Sequence, residues 1–157
     1  MAKALVNGIT VAYEDVGQGD DVLVLVHGHP FNRTMWRPQV EWIANLNRAP
    51  ASGKPAARSW RVIVPDLRGY GESTLVSGKT TLDVFASDIA GLLDGLGVQK
   101  IVIGGLSMGG QIVMEFCRQY PERVRGILLA ATTCNAETQE GKQQRAAMAD
   151  RLLREGM

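Results

Sequence analysis

Ser107 stands in the run Ile101-Val102-Ile103-Gly104-Gly105-Leu106-Ser107-Met108-Gly109-Gly110. A G-x-S-x-G spacing sets a serine on a sharp turn between a buried strand and a helix, with its hydroxyl held out for attack. The chemistry this allows is acyl transfer, in which the serine oxygen adds to a carbonyl carbon once a base takes its proton. Gly105 and Gly109 flank the serine at two residues on either side. Both positions must lack bulk so that strand and helix can close around a strained residue. The plainer alternative is a glycine-rich strand–helix turn carrying an incidental serine. The apolar strand before Ser107 and the helical pattern from Met108 to Gln119 favour the nucleophile. No histidine follows it, because the two in the chain, His27 and His29, both come earlier.

A tetrahedral acyl intermediate needs backbone N–H groups aimed at its oxyanion. Met108, the residue after the nucleophile, supplies one. His27-Gly28-His29-Pro30 directly follows an apolar strand, and its His29 N–H is the candidate for the second. Gly28 lets that backbone turn inward, and Pro30 stiffens the exit. His27 or His29 acting as the general base is a competing reading. A hydrogen-bonded structural histidine at a strand end is preferred for His27. Asp66 closes another strand in Pro65-Asp66-Leu67-Arg68-Gly69-Tyr70-Gly71-Glu72-Ser73. It reads as a carboxylate pinning a glycine-rich turn through backbone bonds, ahead of a catalytic acid.

The elements that must hold these residues are legible in the hydrophobic pattern. Leu5-Val6, Asn7-Gly8 and Ile9 to Tyr13 give a hairpin signal, since Asn-Gly tolerates a type I′ turn. Val22–Val26, Arg61–Val64 and Lys100–Ile103 are continuous apolar strands of the kind buried in parallel sheets, and Val124–Ala130 is a fourth. Trp36, Val40, Ile43 and Leu46 recur at helical spacing. So do Leu82, Phe85, Ile89, Leu92, Leu93 and Leu96, with Thr80 as expected N-cap and Asp83 in the capping-box position. Ile112, Val113, Phe116 and Cys117 give the helix after the serine, stopped by Tyr120-Pro121. Strands alternating with helices imply an α/β protein with a mostly parallel twisted sheet and helices on both faces. Asn47 to Ser59 reads as a long surface loop open to proteolysis. From Ala136 to Glu155 the pattern is polar and helical, with few apolar anchors and Gly156 as its cap.

Composition narrows the function classes. The 157 residues carry 45% hydrophobic and 21% charged side chains, as one globular domain does, and a formal net charge of +1. That balance gives no electrostatic case for nucleic acid or for an anionic membrane. Cys117 and Cys134 lie in no metal-ligand or redox spacing and read as thiols of a reducing compartment. With no secretory core or membrane span, the cytoplasm is the default.

The hairpin, the H-G-x-P loop, the P-D-x-R-G-x-G-x-S turn and G-L-S-M-G-G together resemble the α/β-hydrolase superfamily. They are most similar to its serine-nucleophile esterases, enol-lactonases and C–C bond hydrolases. The resemblance implies Ser107 as nucleophile, and His29 and Met108 as oxyanion hole, with no metal or organic cofactor. His27, Gly28, Asp66, Gly105 and Gly109 are then the motif's structural residues. It also implies an acid after a late strand, a histidine after the last strand and a helical cap. Only an N-terminal portion is expected here: residues 1–135 as the first part of a core truncated before its last strands, and 136–157 as the start of a cap. The function expected is carboxylesterase-like hydrolysis of small esters through an acyl-enzyme, with a small-molecule ester or lactone as the substrate bound. Its acid and histidine would come from a complementing C-terminal segment or a second copy of the chain. The alternatives are a non-catalytic binding module and, among enzymes, an enol-lactonase or C–C bond hydrolase.

Overall fold

The computed structural model describes residues 1–48 and 59–156. Six strands form one sheet: β1 (Ala2–Val6), β2 (Ile9–Val16), β3 (Asp21–Val26), β4 (Trp60–Pro65), β5 (Ile101–Leu106) and β6 (Val124–Ala130). They lie in the order β1-β2-β4-β3-β5-β6. β1 pairs antiparallel with β2, and β2 antiparallel with β4, while every later pairing is parallel. The Asn7 and Gly8 backbones, with φ of 47° and 78°, turn the opening hairpin as a type I′ turn requires.

Side-chain alternation sorts the core into two layers. Val22, Val24 and Val26 of β3 join Ile63, Ile101 and Ile103 on one face. There they pack against Phe85, Ile89, Leu92 and Leu93 of α2 (Leu82–Gly95) and Ile112, Val113 and Phe116 of α3 (Met108–Gln119). Leu23, Leu25, Val62 and Val64 point the other way, onto Val40 and Ile43 of α1 (Arg37–Arg48). Period two in the strands thus becomes one helical layer on each side. α2 begins one residue later than its capping pattern indicates. Thr81 occupies the N-cap and makes no side-chain cap bond, so the Thr80/Asp83 box does not form. The expected loop from Asn47 to Ser59 lies largely outside the described residues.

The expectation of a truncated sheet and an unfinished tail needs correction. The six strands form one continuous ladder, and the chain runs on into α4 (Gln139–Glu155), a helix finished at both ends. Thr138 caps its start by accepting the Gly141 N–H at 3.1 Å. At its end the Gly156 N–H, with Gly156 at φ 77°, bonds to the Leu152 carbonyl at 2.9 Å. The sequence-based count measured these strands against the larger relatives of the superfamily, which local pattern alone could not replace.

Candidate active site

β5 ends at Leu106 and α3 begins at Met108, leaving one residue to make the turn. Ser107 makes it at φ 54° and ψ −118°, a strained conformation for a residue bearing a Cβ. Its backbone is pinned on two sides. The Ser107 N–H donates to the Ala130 carbonyl at 2.9 Å, and the Thr132 hydroxyl donates to the Ser107 carbonyl at 2.8 Å. Close glycine packing makes the turn possible. A Cβ on Gly105 would lie 2.3 Å from the Gly109 carbonyl group, and one on Gly109 would lie 2.3 Å from the Val26 oxygen. The serine side chain is exposed at the C-terminal edge of the parallel strands, where ligands of α/β sheets gather.

The loop after β3 is seated directly on this turn. A Cβ on Gly28 would come within 2.9 Å of the Leu106 oxygen and 3.4 Å of the Ser107 Cβ. The Phe31 N–H closes the loop onto the Gly28 carbonyl at 2.9 Å, and a cis peptide joins His29 to Pro30. Among the described residues, no hydrogen bond takes up the N–H of His29 or that of Met108. The latter is one of the orphan donors that every helix N-terminus carries.

Neither histidine is bonded to the Ser107 hydroxyl among the described residues. His27 is buried, and both its ring nitrogens are committed to backbone. The Leu67 N–H donates to Nε2 at 3.1 Å, and Nδ1 lies 3.1 Å from the Gly28 oxygen. That pattern assigns the proton to Nδ1. Desolvation holds the His27 pKa below 6.5, opposed by its Gly28 bond and by the charge of Asp66. His29 is exposed, and its Nδ1 lies 3.0 Å from the Tyr70 hydroxyl.

Asp66 is fully buried and organises the loops beneath the site. Oδ1 accepts the Arg33 N–H at 2.8 Å, and Oδ2 accepts the Glu72 N–H at 2.8 Å and the Arg33 guanidinium. Its backbone carbonyl takes the Ser73 hydroxyl at 2.7 Å. Arg33 also reaches Glu72 at 2.7 Å and Glu14 at 3.4 Å, joining the loop after β3, the turn after β4 and strand β2. A buried charge needs such partners. Every oxygen of Asp66 is thus spent on scaffolding.

Arg33 and Tyr70 are the residues that the sequence left without a role. Arg33 gave no signal, since arginine is seldom buried. Tyr70 was visible as an aromatic between two turn glycines, but its partners are remote in sequence. No described group of histidine, cysteine, aspartate and glutamate could hold a metal ion. No described helix is long and apolar enough to cross a membrane.

Comparison with known proteins places this geometry. The alpha/beta hydrolase fold family matches residues 21–155. A thermophilic esterase from Thermogutta terrifontis superposes with TM-score 0.85 at 40% identity, over 99% of this chain and 54% of that one. The enol-lactonase from Burkholderia xenovorans superposes with TM-score 0.82 at 27% identity, over 99% and 55%. A 2-hydroxy-6-oxononadienedioate/2-hydroxy-6-oxononatrienedioate hydrolase from Burkholderia vietnamiensis is 36% identical over 122 residues, which cover 77% of this chain and 39% of that protein. The chain spans about 40% of the length of the curated relatives it matches. The family match nevertheless runs through α4, over a single-chain fold of six paired strands. This corrects the expected dependence on a complementing C-terminal segment or a second copy, because the six strands pair within one chain. The chain belongs to the alpha/beta hydrolase fold family.

Proposed function

We propose that this protein is a serine-nucleophile hydrolase of the enol-lactonase or C–C bond hydrolase kind. Ser107 Oγ would add to a carbonyl carbon whose leaving group is an enol oxygen or a carbon that departs as its ketone. The oxyanion formed would be met by the N–H groups of His29 and Met108, fixed donors at the start of α3 and in the loop after β3. Collapse would expel the leaving group, which takes up the proton that the Ser107 hydroxyl gave up on attack, and leave an acyl-serine that water then cleaves to acid and free serine. His27 would have a structural part, its nitrogens being held by Leu67 and Gly28. Asp66 would be a scaffold carboxylate.

The observation that carries the reading is the strained Ser107 backbone at φ 54° with the Gly28 loop packed on it. Strain of this kind persists only where the surroundings enforce it, and it clusters at working sites. A binding module has no use for it. The choice of leaving group is corrected from the small-ester expectation. C–C bond hydrolases of 31–36% identity recur among the curated relatives, and the B. xenovorans enol-lactonase shares the fold over 99% of this chain.

The test is covalent labelling followed by turnover. A fluorophosphonate should add one phosphonyl group to Ser107, and Ser107→Ala should take up none. An enol-lactone or a vinylogous 1,5-diketone should then be hydrolysed with higher kcat/KM than p-nitrophenyl acetate. Labelling at another residue overturns the nucleophile. Preference for the simple ester overturns the substrate class.

A further inference from the structure

Tyr70 occupies a tight turn, with its N–H on the Leu67 carbonyl at 3.0 Å and its own carbonyl taking the Ser73 N–H at 3.1 Å. The half-buried ring stands edge-on to His27, with centroids 5.2 Å apart, and to His29 at 5.9 Å and 83°. Its hydroxyl reaches two groups, His29 Nδ1 at 3.0 Å and the Met108 sulfur at 3.8 Å. These side chains belong to the two residues whose N–H groups are the proposed oxyanion donors. They come from separate elements, the loop after β3 and the first turn of α3.

A phenol holds one proton and can also accept. It either donates to His29 Nδ1, or accepts from that nitrogen while donating to the sulfur. Only the second arrangement joins His29 to Met108 by hydrogen bonds through one oxygen, because a thioether sulfur accepts and cannot donate. Burial raises the Tyr70 pKa, which keeps the proton in place. Oxyanion donors work only when both lie 2.7–3.1 Å from the developing charge, so their mutual spacing matters as much as their presence.

We infer that Tyr70 is a positioning residue, a phenolic strut that sets the separation of the His29 and Met108 backbone donors. This rests on the reading of Ser107 and its oxyanion hole. The experiment compares wild type with Tyr70→Phe, which keeps the ring and removes the oxygen. Fluorophosphonate labelling gives kinact and KI, and NMR relaxation gives backbone order parameters at His29 and Met108.

The strut requires kinact to fall about fivefold, the worth of one net hydrogen bond of about 1 kcal/mol, with KI unchanged. Order parameters at both residues should drop from the rigid range near 0.85. His29→Ala should give a similar kinact loss, and combining the two changes should add little, as expected for groups acting as one unit. His29 is exposed, so that variant keeps the test alive if Tyr70→Phe folds poorly. An unchanged kinact overturns the strut. So does a rise in KI at constant kinact, which would make Tyr70 a ligand contact. If the wild type never labels, the nucleophile reading fails by itself. The order parameters then decide the strut: a drop at both residues supports it, and unchanged values overturn it.

Discussion

β5 with α3 and β6 with α4 are successive strand–helix units of one sheet, yet they live in different surroundings. Ile101 and Ile103 of β5 and Ile112, Val113 and Phe116 of α3 have no exposed surface. In β6, Ile127, Leu128 and Leu129 are 49%, 54% and 44% exposed, and α4 contains no buried residue. The apolar content of the two strands is similar, so composition does not make the difference. Position does: β5 has strands on both sides and α3 packed on it, while β6 has a neighbouring strand on one side only. The elbow is built where burial can enforce its strain.

Truncations measure this contrast directly. Phe116→Ala should cost about 3–5 kcal/mol of unfolding free energy, since no neighbour can collapse fully into the space. Urea titration with an unchanged slope would check it, and a loss below about 1 kcal/mol would dissolve the contrast. Asp66→Ala removes the buried partner of Arg33, leaving the guanidinium to the more exposed Glu72 and Glu14, and should cost about 3 kcal/mol. It should also slow Ser107 labelling, because the loops after β3 and β4 lose their common anchor.

A pH effect comes next. The folded His27 has its pKa held below the value of 6.5. The unfolded chain therefore binds more protons below that pH, and stability increases with pH there. This contribution is complete above pH 6.5 and is lost as the pH falls. Urea midpoints measured between about pH 5 and pH 7 should show the slope. The same series on His27→Gln should lack its His27 part. At the bottom of the scale, Leu153→Ala on α4, where Leu153 is 86% exposed, should change stability by less than about 0.5 kcal/mol. A larger loss would mean that α4 is not the solvent-facing helix described.

The same contrast explains what could be read from sequence. Ser107, its glycines and the flanking strand and helix were legible because the elbow is a local device, complete within ten residues. The type I′ hairpin was legible for the same reason. Arg33 and Tyr70 were not, because their partners lie 19 to 43 residues away and meet them only through the tertiary fold. The N-cap of α2 was missed by one residue because two adjacent threonines offer the same local chemistry. Where the sheet stops, and how far α4 is formed, depended on pairings that no local pattern encodes.

Two of the bonds that hold the Ser107 backbone run to Ala130, the last residue of β6, and to Thr132, just past its end. Thr132 is also wedged against Gly110, where a Cβ would sit 2.6 Å from its methyl group. The strained serine is thus moored from the segment that leads out to α4. A pull or twist on that segment is delivered to the peptide groups on either side of the nucleophile, and with them to the direction in which its oxygen points. The most exposed part of the molecule holds the other end of the mooring line.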